Sequence, residues 1–408
     1  MTTQALENIC VLDLSRILAG PWCTQLLADL GAEVIKIERP GVGDDTRGWG
    51  PPFLCDHEGN ETNDASYYLA ANRGKKSVAV DISSPQGQRI LRQLAGSCDV
   101  FVENYKVGGL KKYGLDYESL SGINPKLVYC SITGFGQTGP YAHRAGYDFM
   151  IQAMGGLMSI TGEADDRPGG GPQKVGVAMA DILTGLYAAN AIQAALLHRE
   201  QSGRGQHIDM ALFDVQVAAL ANQALYYLVS RKTPGRAGNA HPNIVPYQVF
   251  ATRDGHIILA VGNDGQFARF CKVADCVELS TDPNFSTNAQ RVINRRTLIP
   301  MLEKIMQERT SDEWLQVLET AGIPCGPIND IDQVFDDPQA RHRGLRWLTN
   351  HPTAGDLSMV KCPVEMSQTP VQHQSAPPLL GQHTDEVLRD LGLDSAAVKQ
   401  MRSDGVIG

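Results

Sequence analysis

Nowhere in the 408 residues is there an uninterrupted apolar run of about 18, so no membrane span and no membrane partner are expected. The first residues lack the basic and apolar regions of a secretory signal, which points to the cytoplasm, or to the mitochondrial matrix if a presequence has been removed. Positive charge is in deficit: 36 Lys and Arg stand against 45 Asp and Glu, a net charge of -9. That leaves nucleic acid without the basic surface it needs, though a local basic patch could still hold a small phosphorylated molecule. The nine cysteines are odd in number and include no Cys-x-x-Cys pair, which argues against a disulfide framework and a structural zinc, and no metal site is expected. Four signatures are also missing. No G-x-G-x-x-G follows the first apolar strand, and no G-x-x-x-x-G-K-[ST], G-x-S-x-G or H-E-x-x-H occurs. A common dinucleotide site and a P-loop are thereby excluded, along with two familiar hydrolase centres.

What is present suits a large folded enzyme. Forty-two per cent of the residues are hydrophobic, enough for a sizeable core, and the length suggests two or three domains. Short apolar runs at 9–14, 33–37, 77–82, 100–102 and 127–132 read as strands separated by helical stretches such as 21–30 and 85–94. Alternating strands and helices imply a mostly parallel sheet with right-handed crossovers, a Rossmann-like α/β domain. Residues 182–199 read as a long helix of small and apolar residues, and 208–230 as mostly another helix. From 231 to about 246 the composition turns to Gly, Pro, Asn and basic residues, a linker signal. Beyond it come a strand–turn–strand pattern over 247–261 and helices at 295–307 and 311–321, the second with a capping box from Thr310 to Glu313. The expected division is therefore residues 1–231, the amino-terminal part of a large domain, then a smaller α+β domain over 232–328, then 329–408.

The chemistry centres on a carboxylate. A glycine-rich loop over 168–177 leads into Ala178-Met179-Ala180-Asp181 and the long apolar helix. An acid between two apolar stretches needs either a partner or a task. The structural alternative is that Asp181 caps the helix by accepting the amides of residues 183 and 184. The functional one is a nucleophile that the helix N-terminus keeps ionised.

Eight further segments carry a resemblance. They are Val11-Leu12-Asp13 through Ala19-Gly20-Pro21; Gly-Ala-Glu-Val-Ile-Lys-Ile-Glu-Arg-Pro at 31–40; Asn72-Arg73-Gly74-Lys75-Lys76-Ser77; Val102-Glu103-Asn104-Tyr105; the stretch 131–140; Gly203-Arg204-Gly205-Gln206; Ile323-Pro324-Cys325-Gly326-Pro327; and Leu379-Leu380-Gly381-Gln382-His383-Thr384. In this order they resemble the class III coenzyme A-transferases, whose distant kin are the α-methylacyl-CoA racemases. The resemblance implies that Asp181 is the nucleophile. It also implies that CoA and acyl-CoA are substrates with no permanently bound cofactor, and that the chain forms an interlocked, ring-like homodimer in which 329–408 returns to the large domain. Ile17 and Leu18 would sit beside the thioester, Arg39 at the adenosine end and Lys75 near the phosphates, with Asn72 also among the CoA-binding residues. Asn104, Tyr105 and Lys112 would line the pantetheine and nucleotide path. Gly262, Gly265 and Gln266 occupy the place of a mobile glycine loop, which is richer in glycine in the family. Leu18 stands where the oxalate-specific members carry glutamine. Segments 43–47, 49–53 and 245–248 resemble the branch that handles small dicarboxylates, with succinyl-CoA as donor and an acid such as glutarate as acceptor. Arg47, Arg73 and His241 are candidates for the distal carboxylate. The alternatives are a racemase-like enzyme and a CoA-binding protein without catalysis. The first needs Gly-His-Asp where Gly146-Tyr147-Asp148 stands.

Overall fold

The computed structural model describes residues 4–372 and 375–408. The larger of two compact units runs to Leu157 and resumes over Val175–Val229 and Pro338–Gly408. Its centre is a sheet of β1 (Cys10–Asp13), β2 (Glu33–Glu38), β3 (Lys75–Ala79), β4 (Val100–Glu103), β5 (Val128–Thr133) and β6 (His207–Ala211). All pairings are parallel, in the order β3-β2-β1-β4-β5-β6. This is the Rossmann order, and the direction of winding reverses between β1 and β4, which opens a crevice at the strands' carboxyl ends. Strand β6 is the one the sequence reading missed: it lies inside a stretch read as helix, at the sheet edge, and its His-Ile-Asp-Met-Ala alternation is short.

Side-chain alternation buries both faces. Val11, Val34, Val100, Val102, Val128 and Cys130 point to one side, where α1 (Ala19–Asp29), α3 (Asp148–Met154) and α4 (Met179–Ser202) cover them. Leu12, Ile35, Ile37, Phe101 and Tyr129 point to the other, against α2 (Pro85–Ser97) and the carboxyl-terminal helices Thr384–Asp390 and Ser395–Ser403. Ser84 caps α2 by accepting the Gly87 amide, with Pro85 at the first turn.

Helix α4 contains no uninterrupted apolar run of about 18 residues, yet it is long and apolar enough by length and composition alone to cross a membrane, with a mean hydropathy of 1.2 over an 18-residue window. Its Ala180, Ala188, Ala189, Ile192 and Ala195 are buried within the sheet core. The helix lies unusually close to α1: a Cβ built on Gly185 would come 2.7 Å from the Ala19 carbonyl and 3.2 Å from the Cys23 nitrogen.

The second unit comprises Met158–Lys174 and Ser230–Asp337. It therefore takes in a segment assigned above to the large domain, and it extends past residue 328. An antiparallel sheet, in the order β9-β8-β7, joins β7 (Tyr247–Ala251), β8 (His256–Ala260) and β9 (Cys325–Pro327). Phe250, Ile257, Leu259, Phe267, Phe270, Leu298, Leu302 and Trp314 form its core. The expected capping box is present, with Thr310 and Glu313 satisfying each other's amides.

Candidate active site

A cavity of about 1090 Å³ opens at the carboxyl ends of the parallel strands. Each strand end contributes to it: residues 16–19 after β1, Arg39 after β2, residues 80–83 after β3, 104–109 after β4, 132–134 at the end of β5 and Leu212 after β6. Five cations line it (Arg16, Arg39, Lys106, Lys112 and Arg144) against the acids Asp81, Asp148 and Asp181. Arg16 pairs with Asp45, and Arg144 lies over the rings of Phe135 and Tyr141. The excess of cations suits an anionic ligand.

Asp181 enters this cavity from the first turn of α4. It is not the helix cap. Ala178 occupies that position without a side-chain bond, and the free amides are taken instead by Asp148, whose Oδ1 accepts from Ala180 at 2.8 Å and Asp181 at 3.4 Å. Gln152 steadies Asp148 by donating to its Oδ2 at 2.7 Å, and its own Oε1 accepts the Val175 amide. The helix terminus was expected to keep Asp181 at an ordinary carboxylate pKa. Burial, and then the Asp148 charge, instead push it up to about 7. Burial followed by the Asp181 and Asp148 charges also raises the Tyr67 phenol, which packs edge-on against Trp49 at 5.2 Å.

Residues 6–384 match the pattern of CoA-transferase family III. The chain belongs to this family. It is 51% identical, over 95% of both chains, to a succinate–glutarate CoA-transferase of Agrobacterium fabrum. It is 48% identical, over 99% of its own length and 90% of the relative's, to the human succinyl-CoA:glutarate CoA-transferase. A crystal structure of a CAIB/BAIF family protein from Brucella suis superposes with a TM-score of 0.84 at 50% identity, covering 96% of this chain and 100% of that one.

Of the residues expected in the site of this CoA-transferase, Ile17, Leu18, Arg39, Asn104, Tyr105, Lys112 and Asp181 line the cavity together. Asn104 is engaged there already: its Oδ1 accepts from the Arg16 amide at 3.0 Å and its Nδ2 donates to the Arg16 carbonyl at 2.7 Å. Ile17 stands at φ 73°, a left-handed conformation that costs a β-branched residue about 1–3 kcal/mol.

Four expectations are corrected by burial. Lys75 has no exposed side-chain surface and bonds to Asp13, the Pro21 carbonyl and Asn72; burial, only partly offset by Asp13, brings it down to about 8. Asn72 in turn donates to the Tyr68 carbonyl. Arg73 forms a two-pronged pair with Asp29. Arg47 spreads its guanidinium over Glu38, Asp64, the Tyr68 hydroxyl and the Pro378 carbonyl. These are three charges and an amide consumed inside the fold, and none lines the cavity. The remaining expected residues belong to the second unit. His241 packs against Tyr247 and accepts the Asn243 amide. Asn263 caps the helix Asp264–Val273 by accepting the Gln266 amide, while Gln266 accepts from Gly262, so Gly265 and Gln266 are helical rather than part of a glycine loop.

The sequence reading missed Arg16, Lys106 and Arg144, although Arg16 lies within a quoted segment and Lys106 directly follows one. It gave Asp148 no role beyond its place after Tyr147, whereas this residue both caps the helix and perturbs Asp181.

Proposed function

We propose that this enzyme transfers CoA from succinyl-CoA to glutarate, through covalent intermediates on Asp181. The observation that supports this most is a carboxylate without a cation partner among the described residues, at a helix N-terminus, facing a nucleotide-sized cavity rich in positive charge. The printed activities of the bacterial and human relatives supply the two acids.

In this reading the ionised Asp181 attacks the thioester carbonyl of succinyl-CoA. The carbon–sulfur bond breaks, giving an aspartyl–succinyl anhydride and CoA thiolate. The thiolate attacks the aspartyl carbonyl, releasing succinate and leaving an enzyme–CoA thioester. Glutarate attacks that thioester, freeing the thiolate again and forming a second anhydride. Return of the thiolate to the glutaryl carbonyl gives glutaryl-CoA and regenerates the carboxylate. Every step exchanges one activated acyl group for another, so neither a nucleoside triphosphate nor a net proton transfer is required. In this reading Arg39, Lys106 and Lys112 meet the phosphates, and the bound acyl-CoA itself fills the crevice and limits anhydride hydrolysis.

The functional unit is proposed to be the interlocked homodimer. Leu225, Leu228 and Val229 on the helix Ala221–Ser230 are more than half exposed and support a covered surface there. A racemase reading gains nothing from the cavity, where Tyr147 precedes Asp148 and no histidine appears among the described residues lining it.

The test is exchange by the purified enzyme between succinyl-CoA and a panel of glutarate, itaconate, adipate, malate, oxalate and carnitine, with new acyl-CoA species followed by mass spectrometry. Glutaryl-CoA as the leading product supports the proposal. Exchange that survives Asp181→Ala sinks the mechanism.

A further inference from the structure

The turn after β1 is held from both neighbouring strands. On the β2 side, Lys36 donates to the Ser15 carbonyl at 2.9 Å and to Asp44 Oδ2 at 2.8 Å. The other oxygen of Asp44 accepts the Ile17 amide at 3.2 Å, along with the amide and hydroxyl of Thr46. On the β4 side, Asn104 closes both the N–H and the C=O of Arg16. Three consecutive residues, Ser15, Arg16 and Ile17, are thus gripped through their backbones by side chains from elsewhere. The gripped turn contains the left-handed Ile17, and Ile17, Leu18 and Ala19 form the cavity wall that follows. No local preference of a β-branched residue explains φ 73°, so the surroundings must impose it.

We propose that Asp44 and Asn104 are positioning residues for acyl-CoA: together they impose the left-handed Ile17 and so pre-form the wall against which the CoA thioester lies. The proposal rests on the reading of this cavity as the CoA site. Its value to the enzyme is pre-organisation, because a wall already in its bound shape need not be ordered when ligand arrives. It also separates two roles for Asn104. The amide acts through Arg16 and Ile17, not by a direct bond to ligand.

Glycine adopts the same backbone without strain, which provides the test. Asn104→Ala, Ile17→Gly and the double variant would be measured for CoA affinity by titration calorimetry and for thermal midpoint by scanning calorimetry. Asn104→Ala is expected to weaken CoA binding about tenfold, the loss of one to two good hydrogen bonds. Adding Ile17→Gly should return most of that affinity, since a glycine no longer needs to be forced into place. The proposal is overturned if Asn104→Ala leaves affinity unchanged while lowering the midpoint, or if the two losses simply multiply. Failure of the wild type to bind CoA at all would count against the site assignment. The clamp would then be judged on the midpoint alone, where Ile17→Gly must offset part of the Asn104→Ala loss, and full additivity would refute it.

Discussion

Two carboxylates stand at the carboxyl ends of the same sheet, and they are treated in opposite ways. Asp44, fully buried, sits against Lys36 and the Thr46 amide, which outweigh its burial and hold it at about 2. Asp181 is half-buried with another acid as its neighbour and rises to about 7. The first arrangement fixes loops. The second keeps a carboxylate poorly satisfied, and therefore reactive once ionised. The lesson is that burial by itself does not set an acid's charge: Lys36 holds Asp44 ionised, whereas Asp181, like the buried Glu103, has no such offset and rises.

The largest effect that could break this comparison is chemical. Asp181→Ala should lower CoA transfer by roughly 10⁴-fold or more, as loss of a covalent nucleophile does, while leaving CoA affinity nearly intact. Transfer measured by product mass and binding by calorimetry would check both halves. Next in size is a stability effect on the paired side. Arg47→Ala strands Glu38 and Asp64, each nearly inaccessible, and should cost about 3–5 kcal/mol in urea unfolding.

A third prediction sharpens the contrast through pH. Between about pH 4 and 7, folded Asp181 keeps a proton that the unfolded chain, with an ordinary value of 3.8, has released. Stability should therefore fall as pH rises through that window, and Asp181→Asn should remove the fall. Asp44 works in reverse: its contribution is present above about pH 4 and lost as pH drops toward 2. Thermal midpoints measured across pH would separate the two. The same ionisation should appear in activity, with kcat/KM rising toward a plateau through about pH 7. The smallest effect is on that limb. Asp148→Asn keeps an oxygen for the Ala180 amide but removes the repelling charge, and should move the limb to lower pH by up to about one unit.

The sheet, and Asp181 as a candidate, were legible because they are written locally: strand runs, a Gly-rich approach, an acid beside an apolar helix. The misread residues depend on partners far along the chain. Arg47, Arg73 and Lys75 sit in glycine-bearing segments that look made for an anion, a distal carboxylate for the two arginines and phosphate for the lysine. Their partners, however, lie at Glu38 and Asp64, Asp29, and Asp13, and only the folded topology brings those charges in. The same holds for Asp148, which caps a helix that begins 31 residues later. A local pattern can show that a charge is present. Whether it is already spoken for is a property of the fold.

Gly185 lies one turn beyond Asp181, on the same side of α4, at the closest approach to α1. The contact is with backbone, the Ala19 carbonyl and the Cys23 nitrogen, which has no rotamer by which to yield. The missing side chain thus works as a gauge that sets how far the nucleophile's helix stands from the wall carrying Ala19. A methyl group there would push the two helices apart and move the carboxylate with its helix. Errors at position 185 should therefore surface as slow chemistry and a lowered melting temperature together.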